Sequence, residues 1–239
     1  MARAFGTVCV GLAIVASAGC SRPPLGEFCP DVSEGELVIT EIRGPQTGGD
    51  NRGQWFEVYN ATDRVLDLRG LRIEFYNLQG ALPPPGRPVL VRAEDLVAEP
   101  GEYITFGHHD PLSVPEFVDY SFISDYFTTA TLTDEDEALL LRYGLSPEDF
   151  GGREAKDFER SGRIDLLACD VLIDRVRYEN LPAEGTLSFD GDLEPDAVDN
   201  DEQENFCTDE AEEELMPGEP RNFIGLPGSP KQENPACIK

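Results

Sequence analysis

The sequence predicts an all-β protein in which two β-sheets pack face to face. Three stretches in the first third of the chain support this prediction, because apolar and polar residues alternate in them with a period of two. These stretches are residues 37–42, 55–60 and 71–76. Turns rich in Gly, Asn and Asp at 48–51 and 60–63 separate them, which is typical of consecutive strands.

Further strands are predicted after a proline-rich loop at 82–88. Each proline in that loop removes a backbone donor and restricts φ, so regular structure is excluded there. An apolar run at 138–144 is predicted to be a strand buried on both sides. The other predicted strands are 89–91, the end of 98–106, 117–123, 171–178 and 186–189.

One short helical insertion is predicted at 146–160, between two of these strands. Ser146 is a suitable N-cap and Pro147 suits the first helical position. Glu148 and Asp149 place negative charge in the first turn, where it favours the helix dipole.

The order of short motifs along the chain resembles that of the lamin-tail domain, which is found in nuclear lamins and in many secreted bacterial proteins. The motifs are VITEI at 38–42, QWFEVYN at 54–60, DLRGL at 67–71, and GLPGSP at 225–230 followed by Asn234. The resemblance implies an immunoglobulin-like β-sandwich over residues 36–239, with loop insertions. Such a sandwich is a scaffold for unrelated functions, so the resemblance bears on fold more than on activity.

The beginning of the chain has the features of an export signal. Arg3 is followed by fourteen uncharged residues at 5–18, which are too few to span a bilayer. Small residues precede Cys20, a pattern that resembles the lipobox of bacterial lipoproteins, although Ser17 stands where Leu is usual. We therefore expect a signal peptide at 1–19 and acylation of Cys20.

The expected tether comprises residues 20–35, and several acyl chains on Cys20 would hold the protein at the membrane. Ser21 after the cysteine resembles the outer-membrane sorting signal of some bacterial lineages. The alternative is ordinary cleavage after 16–18, which would release a secreted protein.

The net charge of −28 excludes some partners. Nucleic acid phosphates and anionic lipid headgroups would be repelled by a protein this acidic. Basic or cation-bridged partners are favoured instead, and we expect an envelope protein or a glycan.

Four cysteines remain outside the signal peptide and the anchor, and they predict two disulfides with three possible connectivities. Pairing Cys207 with Cys237 would fix the acidic tail to the body, and pairing Cys29 with Cys169 would fix the tether. The sequence has no CxxC spacing, so a zinc site is disfavoured.

Residues 190–214 contain thirteen acidic side chains and no Lys or Arg. Asp190, Asp192, Glu194 and Asp196 are candidate Ca²⁺ ligands, because Ca²⁺ prefers six to eight oxygens. Proline at 195 breaks the EF-hand pattern, so a solvated, partly disordered acidic loop is the alternative.

No catalytic residue is predicted. His108 and His109 are the only histidines, and the following Asp-Pro predicts a surface turn with the two side chains pointing apart. Glu41 and Glu57 could form a carboxylate pair of the glycosidase type, but backbone donors or solvent are more usual partners for strand carboxylates. Trp55 either stacks on a sugar or packs in the core.

These observations together predict a non-catalytic envelope lipoprotein that acts as an interaction or structural module and requires no cofactor. Two alternatives stay open. One is a calcium-binding adhesion module, and the other is a metal-assisted hydrolase that uses the acidic segment with His108 or His109.

Overall fold

The computed structural model describes residues 28–47, 53–78, 87–109, 114–122, 158, 160–209 and 228–238, and it confirms the all-β sandwich. The larger sheet consists, in spatial order, of β12 (Phe206–Asp209), β11 (Thr186–Phe189), β1 (Leu37–Arg43), β2 (Gln54–Asn60), β7 (Tyr103–His108) and β8 (Tyr120–Ser121). Neighbouring strands in this sheet pair antiparallel, except that β7 and β8 pair parallel.

Four strands form the second sheet. In spatial order they are β10 (Val171–Tyr178), β9 (Gly162–Ala168), β4 (Leu71–Asn77) and β5 (Arg87–Leu90). A small third ladder pairs β3 (Leu66–Asp67) with β6 (Val97–Ala98). All four strands of the second sheet pair antiparallel with their neighbours.

The core lies between the two main sheets and is rich in aromatic rings. Phe56 of β2 stacks on Phe106 of β7 with ring centroids 5.1 Å apart. Phe56 also packs edge to face against the ring of Phe75, which belongs to the opposite sheet, with ring centroids 5.9 Å apart. Such contacts add to the burial of apolar area, and they fix how the two sheets face each other.

The strand alternation predicts that one side of each strand faces the core, but every residue of β1 is buried. The outer side of β1 is covered by residues 228–238, which we call the strap. Its Asn234 donates from Nδ2 to the carbonyl of Thr40 at 2.9 Å. Polar β1 residues that alternation alone would expose are therefore enclosed.

Bulges in β1 and β10 let the two sheets share a buried hydrogen-bond group. The register shifts between Ile39 and Glu41 in β1 and between Leu172 and Asp174 in β10. Asp174 Oδ2 accepts from the backbone N–H of Ile39 and from Asn200 Nδ2, both at 2.7 Å. Burial raises the pKa of Asp174 to about 7.

Some predicted elements differ from the structure. β9 was not predicted, although it is an inner strand of its sheet. The predicted edge segment at 117–123 contains the two-residue β8. The predicted strand at 138–144 and the bulk of the predicted helix at 146–160 lie outside the described residues.

The acidic segment is also more structured than a solvated loop. Residues 199–201 and 203–205 form short 3-10 helices, and β12 pairs with β11. Residues 190–209 therefore contain short regular elements that the alternative of a solvated, partly disordered loop did not include, although most of their side chains are half-exposed or exposed. A sequence reading of charge alone misses the pairing of 206–209 with a strand that precedes it by about twenty residues.

Both disulfides occur in the structure, and they select one of the three connectivities. Cys29 is bonded to Cys169 with a Cα–Cα distance of 5.5 Å. Cys207 is bonded to Cys237 with a Cα–Cα distance of 5.7 Å, which attaches the strap to the edge strand β12. Within the described part of the chain, no helix is long and apolar enough to cross a bilayer.

Candidate functional site

The candidate site is a pair of buried carboxylates on the outer face of the larger sheet. Glu41 of β1 and Glu57 of β2 are directly opposite each other in the antiparallel ladder. Opposed side chains on one face have Cβ atoms about 4.5–5.5 Å apart, so the two carboxylates are neighbours. Both residues are 0 % exposed.

Glu41 is surrounded by neutral donors. Its Oε1 accepts from Thr186 Oγ1, from Ser188 Oγ at 3.0 Å and from the backbone N–H of Ser229 at 3.1 Å. Ser229 Oγ also lies 3.3 Å from Oε2. Two of these residues come from β11 and one from the strap, so the carboxylate joins two sheet strands to the covering segment.

Glu57 also receives only neutral donors. Thr40 Oγ1 donates to its Oε1 at 3.0 Å, and the backbone N–H of Lys231 donates to its Oε2. The Lys231 ammonium turns instead to Asp119, with Nζ 2.6 Å from Oδ1. In the described part of the chain, no Lys, Arg or His side chain forms an ion pair with Glu41 or Glu57.

This environment favours the protonated forms of the pair. Burial raises the pKa of Glu41 to about 7, against the lowering effect of the hydrogen bonds from Thr186, Ser229 and Ser188. Burial and the nearby charge of Glu41 raise the pKa of Glu57 well above its ordinary value. Two adjacent carboxylates without a cation are difficult to ionise together.

The strap is held over this pair by further contacts along its length. Ser229 Oγ donates to Asn234 Oδ1 at 2.8 Å, inside the strap. The carbonyl of Pro235 accepts from the Gly191 N–H at 3.1 Å, and a Cβ added to Gly191 would collide with the backbone of Asn234. The Cys237 disulfide then closes the segment.

The candidate calcium residues take up roles in local turns. Asp190 is 2 % exposed, and its Oδ1 accepts from the backbone N–H groups of Asp192 at 3.1 Å and Cys237 at 2.9 Å. Asp196 Oδ1 accepts from the N–H of Val198 at 2.8 Å. Over the described ranges, no three His, Cys, Asp or Glu side chains are grouped as metal ligands. Calcium binding by Asp190, Asp192, Glu194 and Asp196 stays a prediction.

The side chains of His108, the last residue of β7, and His109, which comes after it, lie on opposite faces of the sheet. The ring of His108 stacks on Phe122 at 5.8 Å on the core side, and His109 meets Phe117 edge to face at 6.4 Å on the outer side. Their opposite directions agree with the prediction, but the predicted surface turn is wrong for His109, which is buried because Phe117 covers it.

The acidic segment begins after β11, and β1 and β2 lie between β11 and β7 in the sheet. Strands are about 4.8 Å apart, so the histidines and Asp190 do not form one site.

Trp55 is buried and does not form an open platform for a sugar. Its side chain points to the outer face of the sheet, opposite to Phe56, and packs edge to face on Phe117 at 6.0 Å. Together with Val118 these side chains form a small second core. The packing alternative for Trp55 is therefore confirmed.

A second group of carboxylates, of which Asp165 is buried and Glu74 partly buried, lies on the outer face of the smaller sheet. Asp165 of β9 contacts Arg163 Nε at 2.8 Å and Arg175 through two hydrogen bonds of 2.8 and 2.7 Å. Glu74 of β4 lies 3.1 Å from Arg72 Nε. Guanidinium groups thus neutralise this face, in contrast to the pair beneath the strap.

No protein-family model and no curated protein matches this chain. The chemistry of the site must therefore be inferred from its own residues. A catalytic carboxylate pair needs access to a substrate, whereas Glu41 and Glu57 are enclosed and bind the strap. The arrangement is suited to fastening a chain segment to a sheet.

Sequence reasoning found both glutamates but missed the residues that surround them. Thr186 and Ser188 alternate in β11, which was a signal for a polar outer face. Ser229 and Lys231 carry no such signal, because it is mainly their backbone N–H groups that reach the carboxylates.

Proposed function

We propose that this chain is a non-catalytic interaction or structural module of the bacterial cell envelope, held at the membrane surface through lipid on Cys20. The observation that supports the non-catalytic part is the enclosure of Glu41 and Glu57. These are the strand carboxylates most suited by position to act as a pair, and neither is accessible to a substrate. A general acid must be within hydrogen-bond reach of the group it protonates.

We also infer that the sandwich is of the lamin-tail type. Three motifs that are far apart in the sequence meet at the site. Glu41 comes from the first motif and Glu57 from the second, while Ser229 and Asn234 come from the last. This convergence supports the resemblance, because one hydrogen-bond network explains why the three motifs occur together.

The partner that suits the protein is an envelope protein with a basic surface or a glycan bridged by cations. The net charge of −28 supports this inference, because it disfavours polyanions such as nucleic acids. The lipid anchor would place the module at the outer membrane. A cleaved, secreted form remains the alternative localisation.

Lipidation is tested by metabolic labelling with palmitate. We expect label in the wild type and in Cys9→Ala, whose altered cysteine lies in the signal peptide, and no label in Cys20→Ala. The wild type and Cys9→Ala should sediment with membranes. Absence of label from the wild type, or equal label in Cys20→Ala, would overturn the anchor.

The absence of catalysis is tested with the mature chain, from residue 20 to 239, and its disulfides intact. We expect no turnover of glycoside, phosphoester or peptide substrates, with or without Ca²⁺. Turnover that is lost in Glu41→Gln and Glu57→Gln would instead identify a carboxylate-dependent hydrolase. Titration calorimetry with Ca²⁺ on the same sample tests the acidic segment.

A further inference from the structure

Exposed apolar side chains are concentrated at one end of the sandwich. Among the described residues, seven large hydrophobic side chains are exposed, and five of them lie near the beginnings of β1, β4 and β10, which we call the tether end. These five are Phe28, Val65, Val97, Val171 and Val198, and they are between 37 % and 74 % exposed.

Phe28 and Val171 are held together by covalent and backbone contacts. Cys29, next to Phe28, is bonded to Cys169, two residues before Val171. The Phe28 carbonyl lies so close to Gly70 that a Cβ there would be 2.3 Å from it, so only glycine fits. The Arg69 guanidinium lies 3.8 Å above the Phe28 ring.

Val65 and Val97 belong to the same end through the small ladder. Val97 pairs with Asp67, and Val65 immediately precedes β3. The N–H of Leu68 donates to the carbonyl of Leu96 at 3.0 Å, which joins this ladder to the turn that contacts Phe28. The four side chains therefore lie at the same end of the sandwich.

Val198 completes the group from the acidic segment. The adjacent Ala197 lies against Gly35, with 3.9 Å between its Cβ and the Cβ position of that glycine. Gly35 donates its N–H to the carbonyl of Ile173 at 2.9 Å. Ile173 is two residues after Val171, so Val198 is also at the tether end.

The length of the tether keeps this end near the membrane. Cys29 follows Cys20 by nine positions and is covalently attached to the body. A fully extended chain spans at most about 3.3–3.6 Å per residue, so the tether end lies within about 30 Å of an acylated Cys20. The seven-residue strands β1 and β2 place the opposite end about 24 Å further along the sandwich.

We propose that the tether end is a membrane-contact surface, which rests in the headgroup region of the bilayer that holds the anchor. This inference rests on the proposed function, since it needs a lipid at Cys20. Apolar side chains at the interface gain burial, and the tether supplies a high effective concentration. In this orientation the opposite end of the sandwich, which contains Trp55, points away from the membrane.

The charge of the tether end selects the kind of lipid. Asp67, Glu94, Asp95 and Asp170 lie beside the apolar side chains, and the basic residues Arg64 and Arg69 at this end are paired with Glu36 and Asp67. Anionic headgroups would repel this end, so the fitting surface is a zwitterionic one. Added anionic lipid should weaken the contact.

The test measures which end of the anchored protein is near lipid. A chain that begins at Cys20 is coupled through that thiol to a maleimide lipid in phosphatidylcholine vesicles that carry nitroxide headgroups. The other mature cysteines are in disulfides and do not compete. In a Trp55→Phe background, Val171→Trp reports the tether end.

Val114→Trp is the matched control, because Val114 is also an exposed valine but precedes Phe117, which packs on Trp55 at the opposite end. We expect fluorescence quenching about threefold greater for Val171→Trp than for Val114→Trp. Replacing half of the lipid with phosphatidylglycerol should reduce the difference. Uncoupled chains give the baseline.

Equal quenching of the two variants, or greater quenching of Val114→Trp, would overturn the inference. If Val171→Trp does not fold, Val198→Trp reports the same end and is judged by the same criterion. Chemical coupling makes the result independent of lipidation in cells. Failure of palmitate labelling would thus overturn the proposed function, whereas equal quenching would overturn only the orientation.

Discussion

On the outer face of the smaller sheet, Asp165 lies between two guanidinium groups, whereas Glu41 and Glu57 on the larger sheet receive only hydroxyl and backbone donors. Both groups are removed from water, so each needs compensation for lost hydration. An arginine partner compensates for the lost hydration of a carboxylate and leaves the carboxylate ionised. Neutral hydrogen-bond donors compensate for that lost hydration only in part, so the carboxyl group tends to keep its proton.

The difference also separates the roles of the two faces. The arginine network joins β9 and β10, which are already neighbours in the sheet. The glutamate network joins the sheet to the strap, which no ladder holds. The pair beneath the strap is therefore the means by which a distant segment is attached, and its protonation should affect that attachment.

The largest expected effect is on the strap itself. Cys207→Ser removes a bond that closes a loop of 30 residues, and the chain-entropy description gives a loss of about 3–4 kcal/mol in the free energy of unfolding. Urea denaturation measures it. Dithiothreitol would reduce both disulfides of the wild type, so the single variant rather than chemical reduction isolates this bond. An unchanged midpoint for Cys207→Ser would show that the glutamates hold the strap alone.

The second expected effect is a dependence on pH that runs opposite to ordinary acid unfolding. Folded Glu41 keeps its proton up to about pH 7, while the unfolded side chain releases it near pH 4.5. The stabilisation is thus complete below about 4.5 and is lost as the pH rises to 7, by an amount on the order of 3 kcal/mol. Asp174 acts in the same direction.

Thermal or urea unfolding between pH 5 and 7.5 checks this, at high salt to screen the surface charge. The double variant Glu41→Gln/Glu57→Gln should reduce the slope of the profile and leave the contribution of Asp174. Stability that increases with pH in the wild type over this range would contradict the prediction.

A third change examines the arginine face. Asp165→Asn leaves Arg163 and Arg175 without their carboxylate, and we expect a loss of about 2–3 kcal/mol at pH 7, because the acid is buried but the arginines are partly hydrated. Asp67→Asn is the control. Its side chain is 41 % exposed and pairs with Arg69, so the loss should be below about 0.5 kcal/mol. Equal losses would remove the distinction between buried and exposed pairs.

The smallest expected effect is that of Glu57→Gln, which compares the glutamate pair with the arginine-paired Asp165 most directly. Glu57→Gln replaces a carboxyl whose pKa burial raises well above its ordinary value by a neutral group of the same shape, and we expect a loss of about 1 kcal/mol or less in the free energy of unfolding. Glu57→Ala leaves Thr40 and the Lys231 N–H without an acceptor and should cost more. A larger loss in Glu57→Gln than in Asp165→Asn would mean that the glutamate is charged in the folded protein.

Local patterns predicted much of the fold. The alternation in β1, β2 and β4 gave their positions to within a residue or two, because a strand with one face in the core imposes a period of two on its own sequence. The same pattern was present in β9, where Ile164 and Leu166 alternate with Arg163 and Asp165. Because the outer face of β9 is charged and polar residues precede it in the sequence, the strand was not predicted.

The sequence by itself determined that Glu41 and Glu57 lie on consecutive strands. Strict alternation would place Glu41 on the same side as Ile39, and only the bulge between these two residues turns Glu41 to the outer face beside Glu57. Only the tertiary structure decided that these carboxylates are enclosed, because the donors come from residues 186–188 and 229–231, far away along the chain. Periodicity is a property of adjacent residues and carries no information about such distant partners. Burial, and with it the protonation of the pair, depends on those partners alone.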